Sequence, residues 1–230
     1  MKYVSIELGK INMKQQLISL AACNFLITAL VIIMKFLIPD QISGLDSGMP
    51  TIELSTTIII DTLIKAVFIV WQAVLIASLI VSEFQNKTAL MLYTYPIKMT
   101  KIIISKLVVV FIITFTFMLI SGIFQNVVMY VLNQNLPMFS YNITTEIILT
   151  VLITNISAIF MGLITFTVGM LNRSTIATIV TAILIMCIVT SAAAGPGGII
   201  SKLSVAVTLG LIGLMAGLFT VWKIETEDYC

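Results

Sequence analysis

Long apolar runs alternate with short polar stretches along this chain, and the runs have the length of a bilayer crossing. A spanning helix needs about 20 mostly apolar residues. Six stretches meet that length: 17–38, 54–82, 107–132, 143–171, 176–194 and 203–222. The second and fourth exceed a perpendicular crossing, so they are expected to tilt or to extend past the bilayer. The breaks between runs are rich in turn formers. Residues 39–53 carry Pro39, Gly44, Gly48 and Pro50, residues 133–142 are polar with one proline, and 195–198 read Gly-Pro-Gly-Gly. Proline lacks the backbone N–H that a helix interior uses, so these segments end helices. The pattern predicts an all-α integral membrane protein with six transmembrane helices in a single domain over residues 1–230.

The basic residues orient the spans. Lys2, Lys10 and Lys14 precede the first run, Lys87, Lys98, Lys101 and Lys106 lie between the second and third, Arg173 separates the fourth from the fifth, and Lys223 follows the sixth. These are nine of the twelve basic residues, all on one side, while the opposite side carries Asp40, Asp46 and Glu53 with Lys202 as its basic loop residue. Cytoplasmic loops hold the excess of Lys and Arg. Both termini and the 83–106 segment are therefore expected in the cytoplasm. Residues 1–16 alternate Tyr3, Val4, Ile6, Leu8, Ile11 and Met13 with Lys2, Glu7, Lys10 and Lys14. That alternation fits an amphipathic helix lying in the cytoplasmic interface, with lysines toward the headgroups.

Composition narrows the function. The 230 residues are 60% hydrophobic and 10% charged, against roughly 25% charged in a soluble domain. A net charge of +2 is too small for a nucleic-acid partner. The chain has no histidine, which excludes Ser/His proteolysis, H-E-x-x-H zinc sites and His-ligated haem. Neither a metal-ligand set nor an activated nucleophile is recognisable, so no catalytic residue is assigned. Cys23, Cys187 and Cys230 do not form a disulfide framework.

Polar residues inside the spans are the candidate chemistry. Asp61 and Lys65 stand four apart in the second span and can pair on one helix face. At 100° per residue, Thr57, Asp61, Lys65, Gln72 and Glu83 share an arc of about 80°. Ionisable groups cost about 3 kcal/mol or more at the bilayer centre, so this stripe should face protein or water. The candidate substrate path takes Thr57, Asp61, Lys65 and Gln72 from the second span. Gln125 and Asn126 join it from the third span, and Glu146 and Ser157 from the fourth. The competing reading is interhelical hydrogen bonding. Small residues form two seams, Ala206, Gly210, Gly213 and Gly217 in the sixth span and Ala158, Gly162 and Gly169 in the fourth. Both allow close backbone approach, either within one chain or between two.

The segment 83–106 is a charged island between two apolar runs. Glu83 and Lys87 are four apart, Phe84, Met91, Leu92 and Tyr95 supply an apolar surface, and Pro96 stops the helix. Here the chain resembles the permeases of ABC-2 type ABC exporters. That family carries an acid at the end of the second span, a Thr five residues on, a Leu, a Pro followed by a hydrophobic residue, basic residues, and a Lys opening the third span. This chain has Glu83, Thr88, Leu92, Pro96-Ile97, Lys98, Lys101 and Lys106 in that order. It departs in having Lys87 where Gly often precedes the Thr, and Lys98 and Lys101 where Arg is frequent. The resemblance implies that residues 83–96 form a cytoplasmic coupling helix between helices 2 and 3. Glu83, Phe84, Lys87, Thr88, Met91, Leu92, Tyr95 and Pro96 would then meet a separate ATPase subunit.

The resemblance further implies two copies of the ATPase, which hold ATP and Mg, and a second permease chain. It implies alternating access in a bacterial cell membrane, with membrane lipid around the bundle. The cargo would be an amphipathic or antimicrobial peptide, or a hydrophobic drug, as in small lantibiotic export or immunity permeases. This chain itself carries no G-x-x-x-x-G-K-[ST] phosphate loop, since Gly9-Lys10 lacks the upstream Gly and the following Ser or Thr. It is thus expected not to be an enzyme by itself and to bind no cofactor. The other readings are an ATP-independent channel or secondary transporter and a membrane protein that gives peptide immunity without transport.

Overall fold

The computed structural model describes residues 13–37, 56–85, 99–135, 145–190 and 203–227. Its helices are α1 (Met13–Leu37), α2 (Thr56–Ile76), α3 (Met99–Asn135), α4 (Thr145–Asn172), α5 (Thr175–Val189) and α6 (Leu203–Glu227). Among the described residues there is no strand. Long runs of Leu, Ile, Val and Phe meet their backbone hydrogen bonds within the helix, the only open-chain solution that needs no water. Five helices are long and apolar enough to cross a bilayer: α1, α2 with its extension to Gln85, α3, α4 and α6. The sixth, α5, has 15 described helical residues, about 22 Å at 1.5 Å per residue. That falls short of the ~30 Å hydrocarbon core.

The architecture is all-α and suited to a membrane. Large apolar side chains point outward from every side: Phe25 and Ile33 on α1, Ile123 and Val127 on α3, Ile176 and Leu184 on α5, and Met215 and Phe219 on α6. In water such a surface would be an aggregation hazard; in lipid it is the solvated face.

Helix α2 occupies the centre. Ile60, Ile64, Phe68, Ile69, Ala73 and Ile76 are all buried, and α2 packs against α1, α3, α4 and α5. An aromatic lattice fills the space between α2, α3 and α4. Trp71 stacks on Phe68 at 5.9 Å and meets Phe117 edge-on at 6.0 Å, while Phe111 lies 5.6 Å from Phe160. Helix α4 lies tightly along α6. A Cβ added at Gly213 would stand 2.2 Å from the Phe160 carbonyl oxygen, and one at Gly210 would stand 3.0 Å from the Ser157 Cα. Gly217 faces Leu163, and Ala206 and Ala158 are buried. The α6 seam thus serves packing within this chain, a choice that the spacing of its glycines left open.

The second span is not a uniform α-helix. After Ile76 it widens into a π-helical turn, Ala77–Val81, then resumes as Ser82–Gln85. A π turn carries an extra residue relative to the α ladder. Residues beyond it are rotated by roughly 100° from where an unbroken count would put them. The arc drawn from Thr57 to Glu83 therefore holds as far as Gln72 and breaks before Glu83.

Candidate functional site: a buried polar stripe and its cytoplasmic exit

The deepest charge in the described bundle is Lys65, with 1% of its side chain exposed. A buried ammonium needs both a counter-ion and hydrogen-bond acceptors. Lys65 has both: Nζ pairs with the Asp61 carboxylate one turn away and donates to Thr154 Oγ1 on α4 at 2.7 Å. Thr154 Oγ1 in turn donates to the Thr150 carbonyl at 2.9 Å. The chain of bonds runs Asp61–Lys65–Thr154–Thr150 and ties α2 to α4. Asp61 keeps 22% of its side chain exposed, so the carboxylate end of the pair is open to the surroundings.

Two turns further along α2, Gln72 donates from Nε2 to the Ile159 carbonyl of α4 at 3.0 Å. Its Oε1 is buried without a hydrogen-bond partner, as is Asn155 Oδ1. Gly162 makes room for this amide, because a Cβ there would meet Gln72 Oε1 at 2.2 Å. Between Lys65 and Gln72, the wall is completed by Phe68, Ile69, Thr114, Met118, Ala158 and Ile159. These side chains meet too closely to leave a water-sized void. The stripe is closed, with α2 packed directly on α3 and α4.

The remaining residues assigned to the path lie elsewhere. Gln125 is fully buried and donates to the Asn24 carbonyl at 2.9 Å and to Thr28 Oγ1 at 3.2 Å on α1. Ser121 Oγ completes that cluster by donating to Asn24 Oδ1 at 2.5 Å. It is a seam between α1 and α3. Asn126 is exposed on the flank of α3 and donates to the Gly122 carbonyl one turn back. Ser157 donates to Ile153 O and lies under Gly210 in the α4–α6 seam. The side chains of Thr57 and Glu146 lie outside the described residues.

At the other end of α2, Glu83 and Phe84 are partly buried. Lys87, Thr88, Met91, Leu92, Tyr95 and Pro96 lie outside the described residues, as does the 1–12 part of the N-terminal segment assigned to an interfacial helix. Lys106, counted with the loop lysines in the sequence, is buried. Its Nζ pairs with Glu83 Oε1 at 2.5 Å and donates to the Leu79 carbonyl inside the π turn at 2.9 Å. Gln85 Oε1 accepts from Thr175 N at 3.3 Å and from Thr175 Oγ1 at 3.0 Å, at the start of α5. The preceding turn places Arg173 at φ 46, a left-handed conformation that ordinarily favours glycine, and Ser174 N-caps α5 through Ala177 N. Gly169 lies under both Val81 and Thr178, where a Cβ would be 2.1 Å from Thr178 Oγ1.

A helical bundle with an outward apolar surface and a buried charge pair in its central helix defines a multi-pass membrane protein. The family follows from comparison: the model of the ABC-2 family transporter protein matches residues 3–191, and the chain belongs to that family. It is also 28% identical to the uncharacterized protein YcbO of Bacillus subtilis (strain 168), over 99% of this chain and all of that protein. No solved structure matches the chain. As an ABC-2 family member the chain is the transmembrane component of an ABC transporter, and it works with an ABC ATPase subunit.

Proposed function

We propose that this chain is the permease subunit of an ATP-driven exporter, moving an amphipathic or antimicrobial peptide, or a hydrophobic drug, by alternating access. Two copies of a separate ATPase bind ATP and Mg, and two permease chains flank the route in a bacterial cell membrane, with both termini cytoplasmic. Residues 83–96 act as the coupling helix. One observation carries the reading: a single central helix joins the buried Asp61–Lys65–Gln72 stripe, through the π turn, to Glu83 and Gln85 at the start of the coupling segment. Force applied at Glu83–Gln85 therefore reaches the stripe along one helix.

The same helix supplies a chemical rationale for the cargo. Opening α2 from α4 would uncover an ammonium, a carboxylate and an unpartnered amide oxygen beside Trp71, Phe68 and Phe117. Apolar walls with a few convergent polar groups suit an amphipathic ligand. The test is ATP-dependent uptake into inside-out vesicles that carry the chain and its ATPase. The probes are a fluorescent cationic amphipathic peptide and a hydrophobic cationic dye. Uptake of either that needs both ATP and the chain supports the exporter. ATP-independent flux of both would favour a channel or secondary transporter. Protection of cells from the peptide with no uptake would favour an immunity role without transport.

A further inference from the structure

We infer that Lys106 is a positioning residue that clamps the π turn of the central helix, and that release of this clamp converts movement of residues 83–96 into movement of the Asp61–Lys65 stripe. The transmission part rests on the exporter reading; the clamp itself does not.

Lys106 is almost wholly enclosed. Only 5% of its side chain is exposed, against 40% for Glu83. A cation is buried at a cost that only close counter-charge and acceptors offset. Lys106 finds both on one short piece of α2, the Leu79 carbonyl and the Glu83 carboxylate. These two groups lie on opposite sides of the end of the π turn, which spans Ala77–Val81. A backbone carbonyl has two lone pairs, and the one Lys106 uses belongs to the turn itself. The side chain thus bridges the widened turn and the α turn after it, and its ion pair reports the position of Glu83.

The surroundings make the turn a junction. Val81 packs against Gly169 of α4, where a Cβ would be 3.1 Å away. Beyond the turn, Gln85 is tied to the start of α5 through Thr175. The π turn and the α turn after it therefore touch α3 through Lys106, α4 through Gly169 and α5 through Gln85. A π turn differs from an α turn by one inserted residue, so the alternative to this turn is an α register that shifts one flank of α2 by one residue against the other. A junction with two registers is a bistable element, the kind that turns a small displacement into a helix movement. Glu83 is the half-exposed member of the clamp and opens the coupling segment. A partner that engages Glu83 draws away the counter-ion of Lys106 and so loosens its hold on the turn.

Hydrogen exchange of residues 77–85 in lipid nanodiscs tests both parts, with the wild-type chain, Lys106→Met and Lys106→Arg. In the chain alone, Lys106→Met should exchange about tenfold faster over this segment, while Lys106→Arg, which keeps the charge and donors, should stay near wild type. Equal exchange in all three overturns the clamp. With the ATPase bound, trapping by ATP and vanadate should change wild-type exchange at 77–85 at least threefold. Lys106→Met should still capture the ATPase but show no such change. An intact response in Lys106→Met overturns the transmission role. Failure of the wild-type chain to capture any ATPase overturns the exporter reading and with it the transmission role, while the chain-alone comparison still decides the clamp. Should Lys106→Met not fold, deletion of Leu79 replaces it: removing one residue returns the stretch to α-helix with its flanks in register, and should abolish the nucleotide response in the same way.

Discussion

Neutralising the two halves of the Asp61–Lys65 pair should have unequal and strongly non-additive effects. Lys65 is 1% exposed, and its ammonium is held by Asp61 and Thr154. Asp61→Asn removes the counter-charge and leaves an ammonium in the bundle with a neutral hydroxyl, and breaking a buried pair in this way costs about 3–5 kcal/mol. Lys65→Met keeps most of the packing volume and leaves a carboxylate that is 22% exposed, so its cost is lower, about 1–3 kcal/mol. The double variant removes both charges and should return to within about 1–2 kcal/mol of wild type. The coupling between the sites is then at least ~2 kcal/mol, well beyond the ~0.5 kcal/mol scatter of independent sites. Thermal unfolding in nanodiscs, followed by tryptophan fluorescence, reads the difference. A chain of this size shifts by about 2–4 °C per kcal/mol, so Asp61→Asn should lose roughly 10 °C and the double variant no more than about half of that. Two single losses that simply sum in the double variant would refute the pairing and the energetic reasoning built on it.

Other outcomes follow from the packing. Gly213→Ala should destabilise by about 3 kcal/mol, the upper end for overpacking, because the new Cβ meets the Phe160 backbone; the same thermal assay reads it. Gly162→Ala should cost less, since its Cβ meets the end of the movable Gln72 side chain. Gly122→Ala has nothing within 4 Å of the new Cβ and should gain up to about 1 kcal/mol from helix propensity. In the α1–α3 cluster, Gln125→Leu removes its bonds to Asn24 and Thr28, which keep partners in Ser121 and in α1 carbonyls, and should cost about 1 kcal/mol. Adding Asn24→Leu should then cost less than it does alone in thermal unfolding.

Much of the fold is legible in the hydropathy pattern, because a bilayer forces every spanning stretch to be apolar and helical. The runs at 107–132 and 203–222 fall inside α3, which extends further at both ends, and α6, which extends further at its C-terminal end. Polar ends such as Met99–Lys101 continue a helix at no cost to the pattern, so the pattern alone cannot find the helix end. The Asp61–Lys65 pairing is legible as well, since a four-residue step fixes it within one helix. Partners between helices are not. Periodicity gives Gln125 a face but not a neighbour, and that neighbour is α1. Ser157 has a path-like face in α4 but lies against the glycine seam of α6. The π turn leaves no mark in the sequence, as Ala-Ser-Leu-Ile-Val is equally at home in an α-helix. Lys106 was hidden for a related reason: counting lysines to orient a membrane protein treats each as solvated, whereas this one is drawn in by a carbonyl and a carboxylate 27 and 23 positions away in sequence.

The central claim is that energy enters at residues 83–96 from a separate ATPase. Its most direct measurement is capture of that ATPase by the affinity-tagged chain after detergent extraction, comparing wild type with Glu83→Arg and Leu92→Asp. The account predicts stable capture by wild type and a loss of at least tenfold in both variants, with each variant still extracted as a folded monodisperse protein. Undiminished capture by both variants would contradict the coupling-helix assignment.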